Sequence, residues 1–140
     1  VFVVLDTDHF IELVAGGALA GRISLRATGT EADLFSTIVT AQEVMQGWLA
    51  AINRERAGND QLTAYARFHA ALRDLQKLTL IPFDADAVAR FHELQRLCPR
   101  IGTMDLKIAA ICIAHETVLL SRNLVDSGKI PGLRVGNWLD

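Results

Sequence analysis

Four apolar residues, Phe2-Val3-Val4-Leu5, run straight into an acid, Asp6. A strand apolar on both faces needs cover on both sides, which is the pattern of a parallel sheet rather than of a solvated hairpin. An acid directly after such a strand is expensive to place unless it faces solvent or a cation. At the C-terminal edge of a parallel sheet it points into the crevice where open α/β folds bind ligands. The arrangement recurs along the chain. Glu43 lies just after Thr37-Ile38-Val39-Thr40, Asp105 opens the run Leu106 to Ala114, and Asp126 follows Val118-Leu119-Leu120 at a short remove. Carboxylates gathered in one crevice repel one another unless a cation neutralises them. The pattern therefore predicts a divalent-metal site.

The remaining segments predict an alternation of helices and strands. Asp8 is placed to cap a helix with Phe10, Ile11 and Val14 on its buried side, ended by Gly16-Gly17. A polar stretch containing Gly and Thr then runs to Glu31, and Leu34 to Val39 reads as the second strand. Thr40 is positioned as the N-cap of a helix reaching about Ile52, with Glu43 at the capping-box position. From Asn59 to Leu78 a helical stripe is formed by Leu62, Tyr65, Ala66, Phe68, His69, Leu72 and Leu75. Leu78 to Phe83 is a third strand, Ala85 to Leu97 an amphipathic helix, and Asp105 to His115 a helix apolar nearly all round. Val118 to Ser121 is a fourth strand, and Ile130-Pro131-Gly132 turns into a short last one around Leu133 to Val135. The fold class is α/β, with a mostly parallel central sheet between layers of helices.

Length and composition bound the function. The 140 residues form one domain, 1–140, with 51% hydrophobic and 21% charged residues, a balance that excludes disorder. No apolar run reaches the ~20 residues needed to span a bilayer, and the start lacks the charged region of a secretion signal, so a soluble, cytoplasmic protein is expected. The net charge of −2 gives no global basic signature for nucleic acid, although active-site acids lower any such total. Cys98 and Cys112 have neither CxxC spacing nor a His pair suited to zinc, and Cys112 reads as core packing. His9, His69, His92 and His115 show no metal-site spacing and read as surface or partly buried helix residues. No P-loop, GxGxxG or nucleophile elbow is present.

Each acid also has a structural reading. Asp6 ends a strand and Asp8 caps a helix; a capping-box Glu43 needs no further role; Asp105 suits the positive end of a helix dipole. A Glu tied to its own helix end cannot also reach a metal, so the two roles of Glu43 compete. Arg122 and Asn123 are placed either to bind a phosphate and a water or simply to form a polar turn.

Together these residues resemble the PIN-domain ribonucleases, and among them the VapC-type toxins of bacterial toxin–antitoxin pairs. Leu5-Asp6-Thr7-Asp8 resembles the family's first motif, and Thr37 to Glu43 followed by Gly47-Trp48-Leu49 resembles the second. Ile101-Gly102-Thr103-Met104-Asp105-Leu106-Lys107-Ile108-Ala109-Ala110 resembles the third closely. The closing segment is matched by Leu119 to Asp126, Ile130 to Val135 and Trp138. The resemblance spans the chain in the family's order and implies a three-layer α/β/α PIN-like fold. It implies an acidic cluster of Asp6, Glu43 and Asp105 binding Mg²⁺ or Mn²⁺, with Asp126 as the fourth acid and Asn123 as the polar residue after the fourth strand. Two departures stand out: Ser127 replaces the aromatic that commonly follows the fourth acid, and Gly136-Asn137 replaces an acidic pair before the closing Trp. The first removes a packing anchor and makes Asp126 the least secure metal ligand.

The activity so implied is a metal-dependent endoribonuclease. Asp6 and Asp105 hold the ion, Glu43 completes or extends the cluster, Asn123 orients water or phosphate, and Arg122 and Lys107 contact the RNA backbone. The resemblance further implies single-stranded or looped RNA, including tRNA, as substrate, a homodimer, and a small antitoxin as inhibitor. Trp48 and Phe68, on the helices at 41–52 and 59–78, are candidate contact positions there, or core. Two other classes are carried beside it. One is a catalytically weak or inactive PIN-fold binding module, motivated by Ser127 and Gly136-Asn137; the other is a phosphatase-like hydrolase with Asp6 as nucleophile and Asp8 as acid, motivated by their spacing.

Overall fold

Val3 and Leu5 pack against one side of the first strand and Val4 against the other, so the strand is buried on both faces. The computed structural model describes residues 2–140. Strand β1 (Phe2–Leu5) pairs on one edge with β2 (Asp33–Thr37) and on the other with β4 (Val118–Leu120). Strand β3 (Thr79–Ile81) extends the sheet beyond β2, and β5 (Arg134–Gly136) extends it beyond β4. The order is β3-β2-β1-β4-β5 and every pairing is parallel. The chain moves outward from β1 to β3 and then returns to place β4 beside β1. The strand order therefore reverses between β1 and β4, which is where an open parallel sheet splays to admit a ligand at its C-terminal edge.

Helices cover both faces. Helices α1 (Thr7–Ala15), α2 (Gly17–Gly29), α3 (Ile38–Arg54) and α4 (Leu62–Leu75) join Val3, Leu5 and Leu120 in one core through Phe10, Ile23, Val44 and Leu75. On the other face, α5 (Ala85–Leu97) and α6 (Thr103–Ala114) pack against each other and the sheet. Ile108, Ile111 and Cys112 meet Val4 and Leu119 there, while Phe91 and Leu94 meet Ala109 and Ala110. Helix α6 is buried at six positions from Leu106 to Cys112, as an all-round apolar helix requires. Its first turn is consequently fixed relative to the sheet. A short α7 (Leu124–Ser127) follows β4.

The structure departs from the sequence reading at six places. The stretch before Glu31 is a helix, α2, whose buried stripe is Ala20, Ile23 and Ala27. Gly16 and Gly17, at φ +76° and +86°, make the left-handed corner between α1 and α2 that residues with a Cβ rarely adopt. The cap of α1 is Asp6, not Asp8: the Asp6 carboxylate accepts from the Thr7 N–H at 2.8 Å, and Asp8 is exposed in the first turn. Ile11 is 48% exposed rather than buried. The cap of α3 is Thr37, whose Oγ1 accepts from the Thr40 N–H at 3.0 Å, so Glu43 lies a turn deeper than the capping box. Helix α4 buries Ala64, Ala71 and Leu75, leaving Leu62 67% and Tyr65 54% exposed. His9 is fully buried, its Nε2 accepting from the Trp138 N–H at 3.1 Å.

Candidate metal centre at the strand crossover

Asp6 lies at the reversal of strand order. Its N–H donates to Leu120 O of β4 at 3.0 Å, its carbonyl accepts from the Phe10 N–H at 2.9 Å, and its carboxylate caps α1. One residue is thus tied to β4 and α1 at once, so its carboxylate is fixed where the sheet splays. Burial pushes the Asp6 pKa up to about 6, and the charges of Asp105 and Glu43 add to the effect. The Thr7 N–H and the Ser121 hydroxyl oppose it. Ser121, buried at the end of β4, accepts from the Asn123 N–H at 3.1 Å.

Glu43 reaches the same region from α3. With Thr37 as the cap, its side chain is free of the helix end, and its Oε1 accepts from the Thr7 hydroxyl at 2.9 Å. Desolvation raises its pKa, with Asp105 and Asp8 adding repulsion. Asp105, in the first turn of α6, is raised by desolvation and by the charges of Asp126 and Asp8. Glu43 therefore does not cap α3; its carboxylate is bonded to Thr7 instead.

Asp126 and Asn123 form a reciprocal pair. The Asn123 Nδ2 donates to Asp126 Oδ2 at 3.0 Å, and the Asp126 N–H donates to Asn123 Oδ1 at 3.3 Å. Asn123 is the cap of α7, and it holds Asp126 in place without the missing aromatic. Asp6, Asp105, Asn123, Asp126 and Ser121 line one recess of about 20 Å³, walled by Ile101 and Ile130. Such a space holds about one water. Glu43 lies outside it, on an apolar groove of about 310 Å³ between α1 and α3 that Thr7, Ile11 and Trp48 also line.

The predicted acids and Asn123 are therefore gathered at one sheet edge, but unequally. Among the described residues, no group of three His, Cys, Asp or Glu side chains is arranged as a ready metal-ligand set. Hard carboxylate oxygens whose pKa values are raised by burial and, to a lesser extent, by neighbouring acids nevertheless fit a divalent cation such as Mg²⁺, which binds through one or two carboxylates and retains waters. Arg122 is exposed at the end of β4, 3.6 Å from Asp140. Lys107 lies away from the recess, its ammonium 5.9 Å from the Phe83 ring centre and 6.0 Å from that of Phe91. Two positions escaped sequence reasoning, Thr7 and Ser121. For Thr7 the signal was a hydroxyl directly after a strand-end acid; for Ser121 it was only a hydroxyl directly after the fourth strand.

No helix among the described residues is long and apolar enough to cross a membrane. No curated protein matches the chain. Similar solved structures include VapBC2 from Rickettsia felis bound to a DNA fragment from its promoter, 19% identical over 99% of both chains with a TM-score of 0.74. VapBC-1 from nontypeable Haemophilus influenzae is 16% identical over 100% of both chains, with a TM-score of 0.77. VapBC-5 from Mycobacterium tuberculosis, a member of the VapBC family of toxin–antitoxin systems, is 21% identical over 97% of this chain and 98% of that one, with a TM-score of 0.66. At such identities the likeness is one of fold. The family model described as PIN domain matches residues 3–124, from β1 through the polar turn after β4. The chain belongs to the PIN-domain family.

Proposed function

We propose that the protein is a Mg²⁺-dependent endoribonuclease, with Mn²⁺ as a possible substitute, acting as the toxin of a toxin–antitoxin pair. The observation that carries this reading is the convergence of Asp6, Glu43 and Asp105 from three different elements, each with its pKa raised in part by another of the three or by a neighbouring acid. Family membership supports a nuclease, and the fold neighbours among VapBC complexes support the toxin assignment.

In this reading Asp6 and Asp105 hold the cation, Glu43 extends the cluster, and Asp126 borders it. A divalent cation bound there supplies an activated water and offsets the charge developing on the phosphoryl group. The chain's own contribution is placement. Thr7 aims Glu43, Asn123 aims Asp126 and its amide borders the path of water or phosphate, and Ser121 backs Asp6. Arg122 offers a cation to the RNA backbone. Single-stranded or looped RNA, tRNA included, is the substrate class that family membership suggests.

The partners are a cognate antitoxin and a second copy of the chain. Ile11, Trp48, Leu62 and Tyr65 leave apolar surface on α1, α3 and α4 that suits a protein contact. Purified protein is expected to cleave RNA with Mg²⁺ and to lose that activity on Asp6→Asn or Asp105→Asn. Variants that cut as well as the parent would sink the assignment.

One observation favours a second reading, a PIN-fold module that binds partners without catalysis: the acids do not close into a ligand set. Calorimetric titration with Mg²⁺ and Mn²⁺ separates the two, because a module without a metal site gives no binding heat.

A further inference from the structure

We propose that Arg100 and Lys129 grip the phosphates of the substrate strand on either side of the acid recess. Two isoleucines wall that recess, Ile101 from the α5–α6 turn and Ile130 from the α7–β5 turn. The residue immediately before each is an exposed cation. Both turns are held rigidly. Ile130 is buried in the core beneath α5 and α6, and Ile101 packs against the same cluster. The Ile101 N–H donates to Cys98 O at 3.2 Å, and the Lys129 N–H donates to Asp126 O at 3.1 Å.

Charge gives the pairing its chemical reason. A phosphodiester approaching Asp6, Asp105 and Asp126 meets like charge, so a cation at the recess has to be supplemented by cations along the flanking backbone. Arg122, at the end of β4, lies 3.6 Å from Asp140, and Lys107 faces the rings of Phe83 and Phe91 away from the recess. Among the described residues, neither Arg100 nor Lys129 enters any of the ion pairs. The strand would thus cross from the α5–α6 turn to the α7–β5 turn, with the scissile phosphate over the acids. Contacts of this kind position the backbone and carry no sequence information.

The inference rests on the ribonuclease reading, and one experiment separates their failures. Binding of a fluorescein-labelled single-stranded RNA is followed by anisotropy in EDTA between about 50 and 200 mM KCl, and cleavage of the same RNA is followed in Mg²⁺. Arg100→Ala and Lys129→Ala are each expected to weaken binding and to flatten the slope of log affinity against log salt by about 0.7. Both should raise KM with kcat unchanged. Arg100→Lys and Lys129→Arg should retain the slope, and Lys77→Ala, which removes a distant surface cation, should not alter it. Slopes equal to the parent's in both alanine variants overturn the proposal, as does an absence of salt-dependent binding. RNA that binds with the expected slopes yet is never cut overturns the ribonuclease reading and leaves the grip standing.

Discussion

The Thr7 hydroxyl donates to Glu43 Oε1 at 2.9 Å, joining the first turn of α1 to the middle of α3. The bond spans 36 residues of sequence and ends on a carboxylate that neighbouring acids repel. A hydrogen bond to a charged acceptor contributes about 1.5–3 kcal/mol, enough to hold Glu43 toward Asp6. Thr7→Val keeps the shape and removes the donor. RNA cleavage is expected to fall by roughly 10- to 100-fold, since ~1.4 kcal/mol is tenfold in rate. The pH at which activity appears should also move up, because the hydroxyl stabilises the ionised form of Glu43. Thr7→Ser should restore both. A valine variant with the parent's rate and pH profile would show that the bond holds nothing the reaction needs.

Asp6 makes stability depend on pH in the direction opposite to a salt-bridged acid. Its folded pKa, about 6, lies above the unfolded value. The native state therefore binds this proton more tightly, and stability is complete below the unfolded pKa and is lost as pH rises through about 6. Asp6→Asn should be more stable than the parent at pH 7, by on the order of 1–3 kcal/mol, with the gain shrinking toward pH 4. Mg²⁺ should raise the melting temperature of the parent at pH 7 and do so far less in the variant. Urea midpoints at the two pH values, with and without Mg²⁺, measure both. An equal effect of the substitution at pH 4 and pH 7 would contradict the raised pKa that burial, with the neighbouring acids, gives Asp6.

The parts of the fold legible from the chain were those where one force dominates. Doubly buried β1 and the all-round apolar α6 leave no alternative, and they carry Asp6 and Asp105. Helix α2 was obscured because its buried stripe uses two alanines and one isoleucine among glycines and threonines. Small residues pack closely yet carry little periodic signal. The cap of α3 was misplaced by one turn because Thr37 and Thr40 are both good caps, and the pair is settled only by β2 ending at Thr37. That shift is what frees Glu43. On α4, Leu62, Tyr65 and Leu72 lie outside while Ala64 and Ala71 join Leu75 inside, so hydrophobicity alone placed the stripe largely on the wrong face.

Asn123 and Asp126 are mutually bonded, and their substitutions should not add. Asn123→Ala removes the cap of α7 as well as the amide that holds the Asp126 carboxylate. Losing a cap costs about 0.5–2 kcal/mol, which thermal or urea unfolding resolves. Cleavage is expected to drop less than in Asp6→Asn, because Asn123 borders the recess with a neutral amide whereas Asp6 supplies a carboxylate. In the double variant with Asp126→Asn, the losses should fall short of the sum of the single ones by roughly 0.5–1 kcal/mol or more. Strict additivity in rate would mean that the two residues act independently.

His9 sets an acid limit on the fold. It is fully buried, its Nε2 accepts from the Trp138 N–H, and its Nδ1 has no partner. Burial, aided by the charge of Arg122, lowers its pKa to about 4. Protonation puts a donor where the Trp138 N–H needs an acceptor, so the charged form breaks the tie between α1 and the segment after β5. The folded pKa lies below the unfolded one, so this contribution is complete above about 6.5 and is lost as pH falls through about 4. Over that interval it amounts to on the order of 2–3 kcal/mol, opposing the gain from protonating Asp6. His9→Gln keeps an acceptor and removes the titration. The variant is expected to be less stable than the parent at pH 7 and to lose less on going to pH 4, so the two stability curves converge. Parallel curves between pH 7 and pH 4 would show that the imidazole does not govern this end of the molecule.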